Sequence, residues 1–135
     1  MAEPAPQRTP VSTTVRVPGG PLAPRAARRA VLTHLHGRLD QAQRADLEQV
    51  LSELVSNSVR HAHAGPDTEI EIEISIGERV RVAVVDSGSG FAPPAVAPDL
   101  SSPGGLGLFL VEKLSHAWGV TRTSGRTSVW SEFTL

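Results

Sequence analysis

Three short segments carry residue types whose spacing could do chemistry. In the first, Glu53, Asn57 and His61 recur every fourth residue, which on a helix lines them along one slowly drifting stripe. A carboxylate there suits a general base, and an amide oxygen is a hard ligand for a cation such as Mg²⁺. Helical placement brings Asn57 and His61 to the border of the apolar face set by Leu47, Leu54 and Val55. Asparagine there costs stability unless its amide is hydrogen-bonded. The second segment is Asp86-Ser87-Gly88-Ser89-Gly90, directly after the apolar run Val80 to Val85. An aspartate at a strand end can read a donor group, while Gly88 and Gly90 let a ligand approach the backbone. The third is Gly104-Gly105-Leu106-Gly107-Leu108 at the start of an apolar helical pattern, where exposed N–H groups and the positive end of the helix dipole suit a phosphate. Each segment alone also reads as an ordinary feature: a solvated helical stripe, a turn, a glycine-rich loop before a helix.

The third segment lacks the Gly-Lys-Ser/Thr ending of a Walker A loop, since Lys113 lies well inside the helix, and it lacks the setting of a dinucleotide fingerprint.

These residues need elements to hold them. Thr13 to Val17 alternates as a short edge strand ending at Pro18, and Pro18-Gly19-Gly20-Pro21 is a turn. A helix is expected from Leu22 to about Leu39, with arginines opposite Ala27, Ala30, Val31, Leu32 and Leu35. Asp40 can cap a second helix whose apolar positions Leu47, Val50, Leu51, Leu54, Val55 and Val59 follow the 3.6 period until Ala64-Gly65-Pro66. Glu69 to Ile76 alternates strictly, and Gly77-Glu78 turns the chain into Val80 to Val85, its hairpin partner. After a proline-rich stretch, a helix runs from Gly104-Gly105 to Leu114, and Trp118 to Thr123 and Thr127 to Leu135 form a hairpin around Ser124-Gly125. Across that hairpin Trp118 and Trp130 can face each other, with core or partner packing as their expected role. Runs of strands beside runs of helices predict an α+β fold, a two-layer sandwich with helices on one face of a mostly antiparallel sheet.

Composition narrows the function classes. With 135 residues the chain suits a single domain, read as a tail over 1–12 and one domain over 13–135. Zero cysteines remove disulfides, thiolate metal sites and cysteine nucleophiles. A net charge of -1 supplies no field for nucleic acid or an anionic membrane. No apolar run approaches the ~20 residues of a membrane span and no signal peptide is visible, so a cytoplasmic location is expected. His34, His36, His63 and His116 lack coherent ligand spacing, and Arg25, Arg28 and Arg29 read as a solvated helix face.

Taken in order within one small domain, Glu-x-x-x-Asn on a helix, Asp-x-Gly-x-Gly after a strand and Gly-x-Gly at a helix start are hard to obtain by chance. The set resembles the ATP-binding GHKL superfamily (the Bergerat fold) from about Thr13 to Leu135. Within it, "SELVSNSVRHA" and "GGLGLFLVEKL" look most like the anti-sigma-factor serine/threonine kinases and their actinobacterial relatives. The resemblance implies ATP and Mg²⁺, with Asn57 holding the metal and Glu53 orienting or deprotonating an attacking hydroxyl. It places His61 near the phosphates and gives Asp86 the adenine amino group, helped by Thr127. Gly88 and Gly90 would let the base approach; Gly104, Gly105, Leu106, Gly107 and Leu108 would bind the phosphates; Ala92 to Pro103 would be a lid. It further implies an anti-anti-sigma partner that accepts the phosphoryl group, a sigma factor held by the free form, and a homodimer through the first strand and helix. The chain departs from the pattern in lacking a helical phosphoacceptor domain and any basic residue from Phe91 to Leu106. Phosphate charge would then be met by Mg²⁺, backbone N–H groups and Arg60 or His61. A non-catalytic nucleotide-binding module that controls a protein partner is the alternative reading.

Overall fold

The alternation of glutamate and isoleucine in β2 (Glu69–Ile76) is matched by its burial: Ile70, Ile72 and Ile74 are at most 2% exposed while Glu69 and Glu73 face solvent. The computed structural model describes residues 11–61, 67–86, 105–123 and 125–134. β2 pairs antiparallel with β1 (Val11–Pro18) on one side and β3 (Arg79–Asp86) on the other. Farther along, β3 pairs with β5 (Arg126–Thr134), and β5 with β4 (Ala117–Thr123). The five strands run in the order β1-β2-β3-β5-β4, every neighbouring pair antiparallel. One face of the sheet is covered by α1 (Ala23–His34), α2 (Gln41–His61) and α3 (Gly105–Leu114). This is the α+β two-layer sandwich expected from the order of elements.

The core lies between the layers. Leu47, Val50, Leu51, Leu54 and Val55 of α2 are at most 2% exposed and meet Val80, Val82 and Val84 of β3, with Ala27 and Val31 of α1 and Val111 of α3 closing the sides. Asp40 caps α2 as expected: its carboxylate accepts from the Gln43 N–H at 2.7 Å, and the Gln43 side chain accepts from the Asp40 N–H at 2.9 Å. Two otherwise orphaned donors are satisfied reciprocally. Asp40→Ala should therefore lower stability by about 1 kcal/mol in chemical denaturation, with the slope of the transition unchanged.

Three expectations are corrected. The first helix stops at His34, short of Leu39, because the chain turns away through Gly37 at φ 78, a conformation cheap only for glycine. The first strand begins at Val11, so Val11 and Ser12 belong to the sheet and not to the tail.

The two tryptophans do not face each other. The hairpin closes with Thr123 opposite Arg126, which puts Trp118 across from Ser131 and Trp130 across from Gly119. Trp118 donates its indole N–H to Glu112 of α3 at 2.8 Å, on the helix side. Trp130 lies on the other face with the Arg81 guanidinium 4.1 Å from its ring centre. A Cβ on Gly119 would stand 2.8 Å from the Trp130 ring. Gly119→Ala should destabilise by about 1 kcal/mol, the low end of overpacking because half-buried Trp130 can tilt. A thermal melt followed by tryptophan fluorescence checks this.

Candidate functional site

α2 spans the length of the sheet. Near its start the Gln43 side chain donates to the Thr134 carbonyl at the end of β5, at 3.0 Å. The helix rises about 30 Å over its 21 residues to His61. Past it, the Gly19 N–H donates to the Thr68 carbonyl at 2.7 Å and β2 begins at Glu69, opposite Pro18. The C-terminal end of α2 thus lies where β2 begins, β3 ends and β5 begins. α3 ends at the opposite side, where the His116 N–H donates to the Glu132 carbonyl at 2.8 Å. Because α3 packs along α2, its first residue, Gly105, lies about one helix length, ~15 Å, back from there.

This topology brings the motif-bearing elements to one end of the fold. Asp86 is the last residue of β3 and holds the register position opposite Thr127, the second residue of β5. Thr127 is 8% exposed. Asn57 is 3% exposed on α2, as its position on the helical wheel implies. Glu53, one turn earlier and half-buried, accepts from the Gln49 side chain at 3.2 Å, an ordinary i,i+4 contact. Gly105 opens α3 as expected. His61 closes α2, and Leu106, Gly107 and Leu108 lie in the first turns of α3. The side chains of His61, Asp86, Leu106 and Leu108 lie outside the described residues, as do Gly88, Gly90, Gly104 and the stretch Ala92 to Pro103.

One contact at the site was not foreseen. The buried Asn57 Oδ1 accepts a hydrogen bond from the Arg60 guanidinium at 2.5 Å. Arg60 sits at i+3, off the i,i+4 stripe but an equally close neighbour on a helix. His34, His36 and His116 are exposed, as expected for surface histidines. Arg25 and Arg29 are exposed, but Arg28 is half-buried and donates to Ser52 of α2 at 2.7 Å, so that part of the arginine face helps to dock α1. No helix among the described residues is long and apolar enough to cross a membrane.

Solved structures share this architecture. One holds the RsbU and RsbW domains of Rv1364c from Mycobacterium tuberculosis, at TM-score 0.65 and 19% identity over 92% of the present chain; the chain spans 32% of that protein's length. Another is the SiaB-SiaC complex from Pseudomonas aeruginosa, at TM-score 0.63 and 15% identity, covering 90% of this chain and 88% of the other. At such identities the likeness speaks for the fold. No individual curated protein matches the chain in sequence. A family model, however, matches residues 20–132, a span that includes every element from α1 to β4 and nearly all of β5. On a five-stranded antiparallel sheet under three helices, the match shows that the chain belongs to the histidine kinase-like ATPase domain family.

Proposed function

We propose that the chain binds Mg-ATP at this end of the fold and transfers the γ-phosphoryl group to a serine of an anti-anti-sigma-type protein, and that its free form sequesters a sigma factor. One observation carries the reading. A neutral polar residue, Asn57, is buried at the C-terminal end of α2, on the helix that packs against β3, β5 and α3, the elements bearing the other motif residues. Burying an amide is costly, and a site explains its position better than a core does. The one domain extends over 13–135, lengthened to Val11 by β1.

In this reading the Asp86 carboxylate accepts from the adenine amino group, with the Thr127 hydroxyl beside it in the register. Gly88 and Gly90 leave room for the base, and backbone N–H groups from Gly104 to Leu108 meet the phosphates at the start of α3. His61, at the end of α2, adds a basic group on that side. The donor set fits Mg²⁺. Asn57 offers a hard amide oxygen whose present partner is itself a cation, and an ion that keeps several waters and shares phosphate oxygens needs no cage of protein carboxylates. When bound, Mg²⁺ supplies charge neutralisation along the phosphates. Glu53 takes the proton of the attacking serine hydroxyl as its oxygen bonds to the γ-phosphorus, while the bond from that phosphorus to the β,γ-bridging oxygen breaks and ADP leaves with the electron pair.

That one structure of this fold, SiaB, was solved with a protein, SiaC, supports a protein partner. A second reading, a nucleotide-binding module without transfer, is favoured by the absence of any basic residue from Phe91 to Leu106. Incubation with γ-labelled ATP and candidate serine-bearing partners separates the two: label on a partner serine supports the kinase, and nucleotide binding with no label on any partner supports the module.

A further inference from the structure

The Arg60–Asn57 contact sets two cations against one acceptor. Asn57 is 3% exposed, and its Oδ1 receives the Arg60 guanidinium at 2.5 Å. Arg60, one turn nearer the C-terminal end of α2, is itself exposed. A divalent cation such as Mg²⁺ coordinates an amide oxygen at about 2.0–2.1 Å. A guanidinium nitrogen hydrogen-bonded to that same oxygen would lie against the ion, with like charges in contact and part of the ion's coordination sphere occupied. Oδ1 has two lone pairs, but filling both would set the ion and the guanidinium roughly 4 Å apart, two like charges side by side, so each weakens the other's hold on the oxygen.

We propose that Arg60 is a built-in competitor for the divalent cation at Asn57, occupying its Oδ1 in the free protein and leaving when the metal–nucleotide arrives. The inference rests on the nucleotide reading above. The contact has two consequences. It satisfies a buried acceptor and so holds the Asn57 amide in place in the free site. It also raises the metal concentration needed to load the site, because each loading event must break a charge-assisted hydrogen bond. The exposed arginine has a long flexible stem and can release without moving the helix.

The test is the Mg²⁺ dependence of ADP binding, followed by calorimetry at a series of Mg²⁺ concentrations. Arg60→Met keeps the apolar stem and removes the guanidinium. It should lower the Mg²⁺ concentration for half-maximal effect by about tenfold, the size of one hydrogen bond to a charged group. Arg60→Lys should restore a midpoint close to wild type, and the charge-matched control Arg29→Met on α1 should leave it in place. An unchanged or raised midpoint in Arg60→Met would overturn the proposal, even if the melting temperature in EDTA falls, because the bond would then serve packing alone. An equal shift in Arg29→Met would overturn it too, by tracing the effect to net charge. If the wild type binds ADP at no Mg²⁺ concentration, the nucleotide reading itself fails and this proposal falls with it.

Discussion

Glu53→Ala should reduce phosphoryl transfer to the partner serine by about 10²- to 10⁴-fold, the usual worth of a positioned general base, and leave the dissociation constant for Mg-ATP within about threefold. The expectation follows from where Glu53 sits. It lies one turn before Asn57 on the same helix, half-buried, with Oε1 held by Gln49 at 3.2 Å. In the proposed reading the hydroxyl that Glu53 serves belongs to the acceptor and not to the nucleotide, so its loss should fall on transfer and not on ATP binding. Glu53→Gln keeps the shape and the Gln49 contact but cannot take a proton, so it should match the alanine variant in transfer. Single-turnover transfer of label, beside calorimetric ATP titration, reads both quantities. Equal loss of binding and transfer would assign Glu53 to the nucleotide pocket, and full activity in Glu53→Gln would remove the general-base role.

Asp86→Asn should weaken ATP binding by about 10- to 100-fold, since hydrogen bonds to charged groups are worth roughly 1.5–3 kcal/mol. Asp86 ends β3, and its backbone is fixed by pairing opposite Thr127, so the substitution should spare the fold. The change also carries a specificity signature. A carboxylate only accepts, which suits the amino group of adenine and opposes the carbonyl that guanine presents at that edge; an amide can also donate. The variant should therefore narrow the preference for ATP over GTP as well as lose affinity. Competition of GTP against a fluorescent ATP analogue measures both. Unchanged ATP affinity in Asp86→Asn would remove the adenine assignment.

The strands and the long helix were legible because their burial is written in their periodicity. Ile70, Ile72 and Ile74 alternate with glutamate, and Leu47 to Val55 repeat at the helical period, each pattern having one way to bury its apolar face. Asn57 was legible for the same reason, as a polar residue at an apolar position. What periodicity does not carry is pairing. Nothing local says that β5 inserts between β3 and β4. The tryptophan pair was misplaced because register depends on how the hairpin closes, and a shift of one residue turns a side chain to the other face. The end of α1 was overrun because Leu35 and Leu39 continue the apolar pattern while Gly37 ends the helix by taking a positive φ. The Arg60 contact depends on which way a flexible side chain turns, which residue spacing leaves open.

Whether this end of the fold is a site for magnesium–adenine nucleotide is decided by a calorimetric titration of the full chain with Mg-ATP, repeated with Mg-GTP. Mg-ATP should bind saturably and one to one, less tightly once EDTA removes the metal, with Mg-GTP at least tenfold weaker, the cost of setting a carbonyl against the Asp86 carboxylate. No heat with Mg-ATP, or equal binding of the two nucleotides with no dependence on the metal, would contradict it.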